Sequence, residues 1–249
     1  MILYSKGDYM KITLLLLSLF LSFSAFARVI TLTSENSVSI KGVIDGSSTS
    51  HASMELFRLC KNNKSLYLVL DTPGGSVGDG RTFIDFVKGL PCKVDTITIF
   101  AASMGYQIVQ ALEKRYITPS GVLMSHRGSL NGVGGQLPGE IESRLAFYKE
   151  YLNEMDIAVA KRVGISVKEY KELIRDELWL PAPRAIGLKH ADEEVLVRCD
   201  SSLSGTKEIE VPGLFSTSKV TVSACPLING PVDIEQQDSL IRTKEIWLP

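Results

Sequence analysis

Three apolar runs in the middle of the chain stop abruptly at small or polar residues. Residues 66–70 stop at Asp71-Thr-Pro-Gly-Gly-Ser-Val77, residues 96–100 at Ala101-Ala-Ser-Met-Gly105, and residues 121–124 at Ser125-His126-Arg127. Short apolar runs bounded in this way predict buried strands. Two of the ends open onto helical spacing, with Phe83, Ile84 and Val87 facing inward in 80–88 and a buried helix over 106–112. Strand, helix, strand, helix, strand is the repeat of a parallel α/β sheet with right-handed crossovers.

Upstream, residues 29–33 and 37–43 alternate apolar and polar, as two short strands or a hairpin would. A helix follows, capped by Ser50 or Ser53, with Met54, Leu56, Phe57 and Cys60 on its apolar side. Residues 116–118 read as a short strand and 119–121 as a turn. Downstream, 128–139 is a loop with five glycines and Pro138, whose only large side chains are Leu130, Val133 and Leu137. Residues 140–163 carry apolar positions at helical spacing and predict a long amphipathic helix projecting from the core. Ser166-Val-Lys-Glu169 is a capping box for a helix to about residue 175. A short helix over 181–189 and a last strand at 195–197 complete the pattern. From Cys199 onward the chain is polar and proline-punctuated, which predicts an irregular appendix.

A chain of 249 residues accommodates one large α/β domain and such an appendix. The net charge of -1 does not suggest a nucleic-acid or anionic-membrane partner, and neither is expected. The N-terminus changes the picture more. Met10-Lys11, an apolar run over 12–21 and the Ala25-Phe-Ala27 site form a secretory signal pattern, with Met10 the better start and Arg28 the mature one. The run is short for a bilayer span, so no membrane attachment is expected after cleavage. The domains expected are thus a signal peptide over 1–27, a folded domain over 28–198 and an extension over 199–249, in a secreted or periplasmic protein. Four cysteines, no C-x-x-C pair and three histidines argue against zinc, so neither a metal nor a cofactor is expected. In an oxidising compartment an even count favours disulfides. Cys199 with Cys225 is the preferred bridge, stabilising the tail by roughly 3 kcal/mol. Cys60 with Cys92 is geometrically possible, and the connectivity stays open.

The three strand ends hold the groups that acyl transfer requires. Ser103 stands on a strand-to-helix turn, where a hydroxyl is exposed beside helix N-terminal amides. Gly74-Gly75 leaves room for backbone N–H groups to reach an oxyanion. Of His51, His126 and His190, only His126 follows a buried strand at its end, where a base is needed. A carboxylate to orient the imidazole comes from Asp176 or Glu177.

Taken together, these residues resemble the ClpP-type serine peptidases of the Clp/crotonase superfamily over 37–195. The resemblance rests on 40–45 (Ile-Lys-Gly-Val-Ile-Asp), 72–77, 101–105, Leu123-Met-Ser-His126, Gly134-Gly-Gln136, Trp179-Leu-Pro-Ala182, Ala185 and Ala191-Asp192. It implies a ClpP/crotonase-type fold, a mostly parallel sheet of repeated ββα units with a protruding helix. It implies Ser103 as nucleophile, His126 as base, and the amides of Gly75 and Met104 as oxyanion hole. The loop after His126, with Gly128, Gly134 and Gly135, would bind substrate together with Gly74, and the long helix would mediate homo-oligomerisation. Aligned on Trp179, Glu177 stands where the family has aspartate and Asp176 is one residue out of register. The resemblance thus implies a peptidase for peptides or unfolded proteins. The signal segment departs from a cytosolic family served by ATP-driven unfoldases, so no ATPase partner is expected. An inactive scaffold of the same fold is the alternative.

Overall fold

The computed structural model describes residues 28–129, 134–212, 217–228 and 230–236. The signal segment, Leu130 and Val133 lie outside the described residues. The order is β1 (Arg28–Leu32), β2 (Ser37–Lys41), α1 (Gly46–Cys60), β3 (Ser65–Thr72), α2 (Val77–Lys88), β4 (Lys93–Ala102), α3 (Met104–Ala111), β5 (Arg115–Ser125), α4 (Glu140–Val163), α5 (Val167–Leu173), β6 (Leu178–Pro181), α6 (Ala182–Gly187) and β7 (Glu193–Cys199). The main sheet has seven strands in the order β1-β7-β5-β4-β3-β2, with β6 added to β5. Only β6 runs antiparallel. The apolar runs at 66–70 and 96–100 are the centres of β3 and β4, buried because helices cover one face and other chain segments the second.

β1 and β2 do not form a hairpin. β1 pairs with β7 and β2 with β3, in parallel. A turn over 33–36 joins strands at opposite ends of the order because the sheet folds over itself. β7 pairs with β5 only through Tyr116–Glu193 and Ile117–Glu194 and then leaves with β1. Ile30, Leu32 and Val195 of that ribbon pack on Val69, Ile97 and Tyr116 behind the main sheet. The short strand and turn expected at 116–121 belong to one strand, β5, whose pairing with β4 shifts register between Thr98 and Phe100.

α1 starts earlier than expected. Asp45 caps it by accepting from the Ser48 amide at 2.8 Å, while the Ser48 hydroxyl accepts from the Asp45 amide at 3.0 Å. Ser50 and Ser53 lie inside the helix. Its buried stripe is Thr49, Ala52, Leu56, Leu59 and Cys60, so Met54 and Phe57 fall off the stripe and are exposed. The capping box at Ser166 forms, with the Ser166 hydroxyl accepting from the Glu169 amide. α4 has the bounds its periodicity predicts, and it is buried only at Val159, Ala160 and Val163.

Beyond β7 the extension is not irregular. β8 (Thr206–Pro212), β9 (Thr217–Ser223) and β10 (Pro231–Gln236) form a three-stranded antiparallel sheet. Its prolines misled the sequence reading because Pro212 ends β8 and Pro231 begins β10, positions that strands tolerate. Cys199–Cys225 ties this sheet to β7, and Cys60–Cys92 ties α1 to the start of β4; the Cα separations are 5.9 and 5.5 Å.

A buried polar network locks α3 to β5 and the end of α6. Arg115 holds Asp192 with two guanidinium contacts and donates to the Gln110 side chain at 2.6 Å. Gln110 donates to the His190 carbonyl at 2.8 Å, and the Tyr106 hydroxyl lies 2.6 Å from His190 Nδ1. Burial, reinforced by Arg115 and Arg184, lowers the His190 imidazole to about 4, so it is neutral and shares one hydrogen bond with the Tyr106 hydroxyl.

Two expectations follow. Thiol titration of oxidised, denatured protein finds no reactive thiol, and Cys199→Ser lowers the unfolding free energy by about 3 kcal/mol. As pH falls from about 6.5 to about 4, the unfolded chain takes a proton that folded His190 refuses. Its full contribution therefore exists above that window and is lost within it, by about 3 kcal/mol. Denaturant titrations across this range show the slope, and His190→Gln flattens it.

Candidate active site

β4 runs directly into the turn that carries Ser103. Ser103 takes φ 54 and ψ -116, a conformation that residues with a Cβ rarely hold. It is held there from both sides. The Ser103 amide donates to the Met124 carbonyl of β5 at 2.9 Å, and the Gln107 amide of α3 donates to the Ser103 carbonyl at 3.2 Å. The hydroxyl is thereby presented between a strand end and a helix start.

The glycine pair makes this turn possible. A Cβ on Gly74 would lie 2.6 Å from Ser103 Cβ and 2.7 Å from the Ala102 carbonyl oxygen, and its φ is +96°. A Cβ on Gly75, at φ +153°, would lie 2.1 Å from the Ile44 carbonyl oxygen. The Gly74 carbonyl accepts from the Ile44 amide at 2.8 Å. Because a trans peptide points its C=O and N–H in opposite directions, the Gly75 amide faces away from Ile44. Met104 is the first residue of α3, so its amide has no carbonyl one turn back to bond. Both amides expected for an oxyanion hole thus sit at the ends that flank Ser103.

His126 follows β5, and its Nε2 lies 2.7 Å from Ser103 Oγ. With Nε2 unprotonated, the hydroxyl donates to the imidazole, the geometry of a nucleophile and its base. Neighbouring Ser125 is buried, with its hydroxyl 2.7 Å from the Tyr170 hydroxyl. Burial pushes Tyr170 up to about 12, so this anchor stays a phenol.

The structure does not bring either expected carboxylate onto the imidazole. β6 pairs Leu178 with Ser125, which sets Glu177 next to His126 along the ladder. There the Glu177 carboxylate accepts from Trp179 Nε1 at 2.9 Å, with its own φ at 72°. Asp176 is exposed and pairs with Arg175 at 2.9 Å. No carboxylate among the described residues is hydrogen-bonded to His126. Of the loop glycines, Gly128 lies against Leu152 beside the site. Gly134 accepts from Arg144, and a Cβ on Gly135 would touch Glu140, so these two pack on the start of α4.

A cavity of about 140 Å³ opens beside Ser103 and His126. Val77, Met104, Leu152 and Met155 line it, together with Asp156. Burial pushes the Asp156 carboxyl up, and the charges of Lys171 and Arg127 pull against that. Leu152 and Met155 belong to the apolar spacing of α4. Asp156 was missed in the sequence because one acid among several on a long amphipathic helix reads as a solvated position.

The model of the Clp protease family matches residues 24–191, a segment that includes Ser103, His126, both glycines and the strands that carry them. The chain belongs to the Clp protease family. ATP-dependent Clp protease proteolytic subunits of Streptococcus equi subsp. equi and of S. equi subsp. zooepidemicus are each 30% identical to it over 139 residues, which is 53% of this chain and 69% of theirs. That of Streptococcus pyogenes serotype M1 is 29% identical over the same shares. Clp proteases are serine peptidases, hydrolases of peptide bonds, and the Ser103–His126 pair has the geometry such chemistry needs.

Gly74→Ala tests how tightly the turn is packed. The added methyl displaces Ser103 or Gly74 itself, and misplacement of a nucleophile by about 1 Å costs about a hundredfold in reactivity. The expected outcome is that loss in the rate of Ser103 modification by a fluorophosphonate, with a stability loss of about 1–3 kcal/mol in denaturant titration.

Proposed function

We propose that the protein is a serine endopeptidase that cleaves peptides or unfolded proteins outside the cytoplasm, without an ATPase partner. The 2.7 Å contact between Ser103 Oγ and His126 Nε2 carries the reading. Ser103 Oγ attacks the scissile carbonyl as its proton passes to His126, forming one C–O bond and an oxyanion held by the Gly75 and Met104 amides. Collapse breaks the C–N bond, and His126 returns the proton to the leaving amine. Water, deprotonated by His126, then attacks the acyl-enzyme, releasing the acid and restoring the serine. Asp176 or Glu177 would reach the imidazole only after exchanging its present partner, Arg175 or Trp179.

The compartment draws support from two features. The signal pattern over 1–27 directs the chain out of the cytoplasm, and all four cysteines are joined in disulfides, as in an oxidising space. The streptococcal relatives are named ATP-dependent. ATP independence is part of the proposal and rests on the proposed location, where no ATP-driven unfoldase is expected. Self-association is supported by the exposed half of α4, where Leu145 and Phe147 face outward and Phe147 contacts Tyr148 and Tyr151. Among the described residues His126 Nδ1 has no hydrogen-bonded partner, and this observation favours an inactive scaffold.

Intact-mass analysis after fluorophosphonate treatment of the protein expressed from Arg28 separates the two readings. A single adduct, absent from Ser103→Ala, is the expected result. Folded protein that takes no adduct supports the scaffold.

A further inference from the structure

Asp156 is an acid with no hydrogen-bonded partner among the described residues, placed beside the candidate nucleophile. Its side chain is 19% exposed. Among the described residues its carboxylate accepts no hydrogen bond, and its one ion-pair contact is Lys171 Nζ at 3.9 Å. That ammonium is already engaged with Asn153 Oδ1 at 2.6 Å. Arg127 lines the same cavity on its exposed side and forms no ion pair with Asp156. A largely buried carboxylate without hydrogen bonds is costly, and the cost is relieved by a cation that brings its own donors.

The surroundings indicate where that cation comes from. Ser103 and His126 form one wall of the cavity, so a group that fills it is attached close to the attacked carbonyl. Val77, Met104, Leu152 and Met155 form apolar walls that suit a methylene stem. An apolar stem ending in a positive charge is the side chain of lysine or arginine.

Resting on the peptidase reading above, we infer that this cavity is the specificity pocket for the residue on the acyl side of the cleaved bond, and that Asp156 selects a basic side chain there. An apolar side chain would fill the walls and leave Asp156 without a hydrogen-bonded partner, and an acidic one would oppose it. Pockets built around a polar partner reject ligands that lack it far more strongly than pockets of apolar shape alone.

Peptidyl diphenyl phosphonates that differ only in that side chain, as lysine, leucine or glutamate analogues, test the inference on the protein expressed from Arg28. A small alkyl fluorophosphonate is run alongside. The lysine probe is expected to modify Ser103 at least about tenfold faster than the leucine probe and the glutamate probe slowest. In Asp156→Asn the lysine-to-leucine ratio falls to about one, a ratio taken within the variant and so independent of any general loss. Fluorophosphonate labelling with an equal or faster leucine probe, or a ratio unchanged in Asp156→Asn, overturns the pocket assignment alone. No labelling by any of the reagents overturns the peptidase reading, and this inference with it.

Discussion

The backbone at Ser103 is the constraint on which the rest of the structure depends. A residue with a side chain stands at φ 54, ψ -116 between β4 and α3, and it is stable there only if its surroundings over-determine it. Gly74 approaches so closely that a single methyl on it would occupy the space of Ser103 Cβ. The sheet adjusts as well. β4 shifts register against β3 between Leu70 and Asp71, and against β5 between Thr98 and Phe100, both just before the strand ends that hold the site. Such irregularities re-aim strand ends, and here they bring Met124 opposite Ala102 and its carbonyl onto the Ser103 amide.

The elements that carry the reacting pair are also fixed from behind. α3, which begins one residue after Ser103, is held through Tyr106 and Gln110 to His190 and Arg115. β5, which ends one residue before His126, is held through Ser125 to Tyr170. These polar contacts are buried and satisfied, so they specify one position for each element where apolar packing alone would tolerate sliding. The precision of a 2.7 Å contact between residues 23 apart in sequence comes from this double anchoring. Among the described residues no buried side-chain hydrogen bond holds Asp176 or Glu177, whose carboxylates bond to their own neighbours.

Much of this was legible in the sequence because it is local. Apolar runs ending in Thr-Pro-Gly-Gly-Ser, Ala-Ala-Ser-Met-Gly and Ser-His encode strands and their termini through burial and backbone freedom, and α4 announces its bounds through its spacing. The same reading missed the phase of α1, where hydrophobic Met54 and Phe57 face outward, and the strands of the C-terminal extension, whose prolines sit at strand ends.

By itself the sequence determined which residues could react, since nucleophile, base and glycine pair each sit at the end of a run whose fate is decided by its own composition. Only the tertiary structure decided which strands are neighbours, why β1 and β2 part across a folded sheet, and which acid lies beside the nucleophile. Asp176 and Glu177 are near His126 in ladder register yet turn to Arg175 and Trp179, while Asp156, on a distant helix, enters the cavity. Side-chain partnership is settled by long-range packing and by competition among nearby donors, and neither is written in local spacing.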